Sequence, residues 1–323
     1  MPSSVRNGDN TIIDFTRSVD VSLIVLTRNE EKNLPACLES VSGWTSEMFV
    51  VDSGSTDRTL EIAEQSWAQV RTNPFETHSK QWQWALDNLP IKTKWVLALD
   101  ADQRVTAELR SEISEFIHGK PAADIGGCFV KRKQIFRGRW IRHGGYYPKY
   151  LLKLFRREAV WTEPDDLVDH HFRVRGKVIK LNGDIIEDNR NEADISVWIE
   201  KHNRYAAMQA REDISKASNN NESGLPKSFF GSPDERVLWL KSAWNNLPLY
   251  LRPLLYFGYR YFFRLGFLDG KQGFIFHFLQ AYWYRLLIDI KLDELRSSNT
   301  NPDQRPLHVP LNRPSVKSGN TIR

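Results

Sequence analysis

Three short polar segments carry residues that could do chemistry together. Asp100-Ala101-Asp102 closes the apolar run Trp95–Leu99. Two carboxylates spaced i, i+2 in a turn can share a divalent ion, Mg2+ or Mn2+, and a nucleotide ribose, because hard cations prefer carboxylate and phosphate oxygens. Asp52-Ser53-Gly54-Ser55-Thr56-Asp57 closes a second run, Met48–Val51. There Gly54 permits a tight turn, the hydroxyls offer donors, and Asp52 can accept from a base or ribose. Thr27-Arg28-Asn29-Glu30 closes a third run, Val21–Leu26, and could hold a nucleobase edge through Asn29 and Glu30. Each segment also has a plainer reading. An isolated Asp-x-Asp is more often a solvated turn that caps the next helix. A second acidic strand end, Asp52, tips the balance the other way.

These loops need elements to aim them. Helical spacing follows the first run through Leu34, Leu38 and Val41, and a helix is expected to start near Thr56-Asp57, with Leu60, Ile62 and Ala63 as its apolar positions. Gln69–Arg71 reads as a short strand, Trp82–Leu89 as a helix and Gly127–Val130 as a fourth apolar run. Strand, polar loop, helix, strand is the signature of an α/β fold with a mostly parallel sheet. Ligands of such sheets sit beyond the carboxyl ends of the strands, which gives the three loops a common rim. The expected organisation is a flexible tail at 1–18, a catalytic domain at 19–217, a breaker-rich linker at 218–234, a helical region at 235–296 and a disordered tail at 297–323.

Composition limits the alternatives. With 323 residues, 41% hydrophobic and 26% charged, the chain can bury a core. Cys37 and Cys128 alone cannot build a disulfide framework or a cysteine-rich zinc module. The start lacks a secretory pattern and no uncharged apolar run reaches about 18 residues, so a cytosolic chain without a simple spanning helix is expected. The net charge of +5 is unevenly spread: residues 236–291 carry eight Lys/Arg against two Asp, and 16 of the 38 aromatics. Basic plus aromatic suits single-stranded nucleic acid or an anionic lipid surface. Long apolar stretches between the charges argue against nucleic acid. Gln272–Tyr284 holds no Asp, Glu, Lys or Arg over 13 residues, too short to span and suited to a helix lying in the interface. The plainer reading is a helical subdomain packed on the core.

A strand leading into TRNEEKNLPACLESV, then FVVDSGSTDRTLEIA, SKQWQWAL and WVLALDADQ, in this order and spacing, resembles glycosyltransferase family 2 over roughly residues 20–215. Within that family the chain is similar to bacterial lipopolysaccharide-core and exopolysaccharide enzymes. The resemblance implies a GT-A fold, a Rossmann-like mostly parallel sheet. It implies that Thr27, Asn29, Glu30 and Asp52, with Ser53 of the same loop, line a nucleotide-sugar pocket. Lys80 would lie near the diphosphate, Asp100 would contact ribose or metal, and Asp102 would hold the metal. The implied activity is inverting, metal-dependent transfer from a nucleotide sugar, a UDP-sugar by preference, to a lipid-linked or lipopolysaccharide-type glycan, on the cytoplasmic face of the inner membrane with residues 236–291 against it.

Such a reaction needs a base for the acceptor hydroxyl, which the family takes from an acidic segment after the metal motif, here Glu163 to Phe172. Relatives often read Asp-Glu-His-Phe where this chain has Asp169-His170-His171-Phe172. Asp169 is therefore the first candidate, His170 the second and Glu163 the third. A metal pair of His170 and His171 is disfavoured, since neighbours on a strand point to opposite faces. Gln83 and Gln103 also replace residues common in relatives, so a catalytically impaired scaffold is the competing reading. Lys131–Arg157 holds ten Lys/Arg and no acid around His143-Gly144-Gly145-Tyr146-Tyr147-Pro148. It either faces diphosphates of donor or acceptor or forms a solvated basic edge. Trp198, Lys201, His202 and Tyr205 have helical spacing like a helix of the relatives, with core packing expected for Trp198 and Tyr205.

Overall fold

The computed structural model describes residues 4–6, 12–14, 18–163, 172–218, 244 and 247–300. The linker expected at 218–234, beyond its first residue, and most of both expected tails lie outside these residues. So do Asp169 and His170. Within the expected N-terminal tail, β1 (Ser4–Arg6) and β2 (Ile12–Asp14) pair as a short antiparallel ladder.

One mixed sheet organises the rest. Its parallel half consists of β3 (Val19–Thr27), β4 (Thr45–Asp52), β5 (Gln69–Thr72) and β6 (Trp95–Asp100), in the order β5-β4-β3-β6. Both faces of these strands are covered, which is why they read as near-continuous apolar runs. Leu23 and Val25 point into a cluster with Leu34, Cys37 and Leu38 of α1 (Leu34–Glu39) and Leu109 and Ile113 of α4 (Ala107–His118). Ile24, Phe49 and Val51 point the other way, onto Trp82 and Ala85 of α3 (His78–Asn88). Between them, α2 (Thr59–Gln65) starts later than its sequence suggested, because Asp57 Oδ1 accepts from Thr59 N at 3.0 Å and spends its capping group on the turn before the helix.

The sheet continues with strands of which the apolar pattern revealed only one part, Gly127–Val130. After β7 (Gln103–Val105) come β8 (Ile125–Phe136), β9 (Arg139–Ile141), β10 (Lys149–Arg156) and β13 (Lys177–Glu187). The order from β6 onward is β10-β8-β13-β7, with β9 on β8. β10 runs antiparallel to both β6 and β8, while β13 is parallel to β8. A separate ladder joins β11 (Val160–Thr162) and β12 (Phe172–Val174).

Of the helical region expected at 235–296, residues 235–243 and 245–246 lie outside the described residues, and from 251 on it is largely helical. The long α5 (Ile195–Ser218) lays Ala206 and Ala210 against Tyr284, Ile288 and Leu292 of α8 (Tyr284–Thr300). Before α8 come α6 (Leu251–Gly258), a π-helical segment Tyr259–Phe263, a 3-10 turn Gly266–Asp269, α7 (Gly270–His277) and a second π segment Phe278–Trp283. Arg252 and Asp289, both buried, form an ion pair between α6 and α8. Trp198 of α5, Phe136, Ile141 and Phe276 make a cluster that fastens this region to the sheet. Among the described residues no helix is long and apolar enough to cross a membrane.

Candidate active site

Parallel register sets the rim. Thr27 stands opposite Asp52, and Leu26 opposite Asp100, so the loops leaving β3, β4 and β6 emerge along one edge. Thr27 Oγ1 donates to Asp52 Oδ1 at 3.0 Å. Ser55 Oγ donates to the same oxygen, and the other takes the N–H groups of Gly54 and Ser55, each at 2.8 Å. Asp52 is buried, and these bonds make it the organiser of its loop, which turns through Gly54 at φ +87°. Ser53 Oγ accepts from Gln81 Nε2 at 3.0 Å, tying the loop to α3. Asn29 adopts φ +56°, which Asn tolerates, and its Oδ1 accepts from Thr56 N at 2.7 Å. The first two loops are thus one hydrogen-bonded unit. Lys80 lies on the first turn of α3, capped by Thr77, where its ammonium is half-exposed and 2.5 Å from Glu76.

The Asp-x-Asp turn is held from the far half of the sheet. Lys153 of β10, its side chain 4% exposed, places Nζ 2.8 Å from Asp100 Oδ2. Gln103 Oε1 accepts from Asp100 N at 3.1 Å, and its Nε2 donates to Glu187 Oε2 at 2.8 Å. Arg132 binds Glu187 at 3.1 Å. Asp188 N donates to the Asp102 carbonyl at 2.9 Å. Cys37 approaches the Asp100 carbonyl, and burial pushes its thiol far above the ordinary range.

The electrostatics are those of a crowded acidic pocket. Burial, followed by the charges of Glu187 and Asp100, drives the Asp102 carboxyl well above the usual carboxylate range. Burial likewise pushes Glu30 up to about 7, with Asp57 and Asp100 adding to it and Asn33 and Lys201 opposing. Lys201 of α5 is the local counter-charge: burial works against its ammonium, yet Glu192, Tyr205 and Asp102 hold its pKa above the ordinary lysine value. Carboxylates that raise one another's pKa mark a place that gains from a cation. Among the described residues no three His, Cys, Asp or Glu are grouped to hold a metal by themselves. The raised Asp102 carboxyl and the acids around it fit a divalent ion that Asp100 and Asp102 would hold, with its remaining positions open to oxygen ligands.

Glu163 follows β11 as a half-exposed side chain 3.8 Å from Arg173. Thr162 beside it bonds Ser79 O at 2.8 Å and, through its N–H, Gln83 Oε1 at 3.0 Å, which brings this strand to α3. Sequence reasoning gave no role to Glu187, placed Lys201 only on a helix packed beneath an acceptor site, and gave Lys153 no role of its own within the basic segment. The signal for Lys153 was a lysine between aliphatics in KYLLKLFR.

The basic segment divides: Arg137, Arg139 and Arg142 are exposed, as a solvated basic edge would have them, while others are spent inside the protein. Arg132 and Lys133 are paired with Glu187 and Asp184, and Arg156 and Arg157 bond backbone carbonyls. The His143–Pro148 loop docks on the C-terminal helices. His143 Nδ1 lies 2.7 Å from Asp269 Oδ1, its N–H donates to Asp269 Oδ2 at 2.9 Å, and Gly144 N donates to Arg264 O at 2.8 Å. Core packing of Trp198 is as expected, and His202 stacks on it at 3.5 Å between centroids.

Residues 22–179 match the family model described as glycosyl transferase family 2. The chain is 35% identical over 292 residues to an uncharacterized glycosyltransferase of Rickettsia bellii, covering 88% of this chain and 90% of the relative. It is 25% identical over 280 residues to the lipopolysaccharide core biosynthesis glycosyltransferase LpsC of Rhizobium meliloti, covering 81% and 90%. Among solved structures, S. aureus TarS 1–349 in complex with UDP is similar at 15% identity, with a TM-score of 0.39 and coverage of 87% and 91%.

Proposed function

Since the chain belongs to glycosyl transferase family 2, we propose that it is an inverting, metal-dependent enzyme that moves one sugar from a UDP-sugar to a lipid-linked or lipopolysaccharide-type glycan. The observation that carries this reading is the rim itself, on which Asn29, Glu30, Asp52, Asp100 and Asp102 converge beside a pocket that gains from a cation. The similarity to LpsC supports the choice of acceptor, and a membrane-borne acceptor fits peripheral attachment at the cytoplasmic face of the inner membrane. Thr27, Asp52 and Ser53 keep the base-side loop in shape, and Asn29 and Glu30 face the nucleobase. Lys80 would answer diphosphate charge by leaving Glu76. Asp100 and Asp102 would hold Mg2+ or Mn2+, which when bound supplies charge that stabilises a departing diphosphate. Lys153 fixes the Asp100 carboxylate, and Lys201 limits repulsion around Asp102.

In the reaction the acceptor oxygen forms a bond to the anomeric carbon while the bond from that carbon to the diphosphate breaks. The electron pair leaves on the nucleoside diphosphate, and the hydroxyl proton goes to a base, Asp169 first, then His170, then Glu163. The test is a thermal-shift titration with UDP, with and without Mn2+. Ligand at a hundred times its Kd stabilises by about 2.7 kcal/mol. Wild type should show a Mn2+-dependent increment that Asp102→Asn loses while remaining folded. Full metal-dependent stabilisation and turnover by Asp102→Asn would sink the proposal. No shift with any nucleotide would favour the impaired scaffold.

A further inference from the structure

Two arginines in the C-terminal region converge on one point without an acid between them. In the turn after α6, Arg264 Nη2 and Arg260 Nη2 lie 3.4 and 3.6 Å from the position that a Cβ on Gly145 would occupy. Gly144 and Gly145 both have positive φ, +67° and +76°, so the backbone passes these guanidiniums with no side chain in the gap. Arg260 is clamped over Tyr146 at 4.2 Å and bonds Tyr256, and Arg264 Nη1 donates to Tyr259 at 3.3 Å. From 250 to 288 the sequence has a single acid, Asp269, and it is bonded to His143. Asp289, the next, is bonded to Arg252. Among the described residues, therefore, two like charges are held together by aromatic stacking and phenol contacts, and neither is in an ion pair with a carboxylate. Beside them the turn exposes Phe262, Phe263, Leu265, Phe267 and Leu268, with Phe263 82% exposed.

A paired guanidinium fork next to an exposed apolar turn matches one chemistry, a phosphate ester attached to a hydrocarbon chain. We propose that Arg260 and Arg264, beside the side-chain-free Gly145, bind a phosphate group carried by a membrane lipid, with the Phe262–Leu268 turn entering the apolar layer beside it. This rests on the reading of a membrane-borne acceptor, and names the group by which the protein grips that membrane. The His143–Asp269 bond and the Gly144–Arg264 bond fix the gripping turn to the sheet domain, so the site is built into the fold.

The test is flotation of the full chain with vesicles of phosphatidylcholine, with and without phosphatidic acid. A surface cation is worth about 1 kcal/mol at an anionic membrane, so two together account for roughly thirty-fold in partitioning. Arg260→Gln/Arg264→Gln should lose about that factor on phosphatidic acid vesicles. Arg260→Lys/Arg264→Lys keeps that charge contribution and loses the planar fork, and should fall between wild type and the glutamine variant. Arg264→Gln alone, at an exposed residue, guards against misfolding of the double variant. All should keep the UDP and Mn2+ thermal shift of wild type, which separates failure here from failure of the transferase reading. Inorganic phosphate should compete weakly with the vesicles. Wild-type partitioning by the lysine variant, or binding of free phosphate without vesicle binding, overturns the proposal.

Discussion

Replacing Glu30 with Gln should stabilise the protein at alkaline pH and leave it unchanged at acid pH. Gln is isosteric and can still accept from Asn33 Nδ2 and Asn191 Nδ2, which lie 2.8 and 3.0 Å from Glu30 Oε2. The carboxyl is raised from an ordinary 4.5 to about 7, chiefly by burial. The folded state therefore holds this proton more tightly than the unfolded chain does. Its contribution to stability is complete below about 4.5 and is lost as pH rises to about 7, after which no further change follows. Each pH unit in that window is worth roughly 1.4 kcal/mol, which caps the effect at about 3 kcal/mol. Solvent screening of a carboxyl that is not fully enclosed brings the expectation nearer to about 2 kcal/mol. Urea denaturation of wild type and Glu30→Gln from about pH 4.5 to about pH 8.5 reads the difference directly. It should be near zero at the acid end and about 2 kcal/mol in favour of the variant at the alkaline end. A difference that does not change with pH would refute the claim that Glu30 is penalised in its charged form.

Two further outcomes follow from the packing. Asp289→Ala should cost about 3–5 kcal/mol in urea denaturation, because it strands a buried Arg252, whereas Arg252→Met/Asp289→Leu should recover most of that loss; equal losses in both would show that the charges matter only as volume. Gly144→Ala puts a Cβ 2.0 Å from His277 Cε1 at φ +67° and should cost about 3 kcal/mol. His277→Ala in the same chain should restore part of it, and no restoration would remove the steric explanation.

The parallel half of the sheet was legible because burial on both faces leaves strands such as Val21–Leu26 uninterrupted, and because each ends in a polar loop. The rim residues followed from that alone. β10 and β13 were hidden, since KYLLKLFR and KVIKLNGDIIE mix charges with aliphatics. Their charges point at partners remote in sequence, as Lys153 does at Asp100. Gln103 shows the same limit from the other side. It read as a departure from the family pattern, yet it needs both ends of an amide, one to accept from Asp100 N and one to donate to Glu187. An acid there could not donate at neutral pH. Gln83, the other departure, accepts the Thr162 N–H and so anchors β11. Neither role can be deduced without knowing what lies across the gap.

Helix α5 touches both ends of the molecule's business. Lys201, on its second turn, counters the acidic rim, while Ala206 and Ala210 seat α8. Nine residues of helix separate Lys201 from Ala210, about 13 Å of stiff rod. Should the proposed membrane grip and donor pocket both hold, α5 is the element that joins them, and any factor by which lipid changed nucleotide affinity would equal the factor by which nucleotide changed lipid affinity.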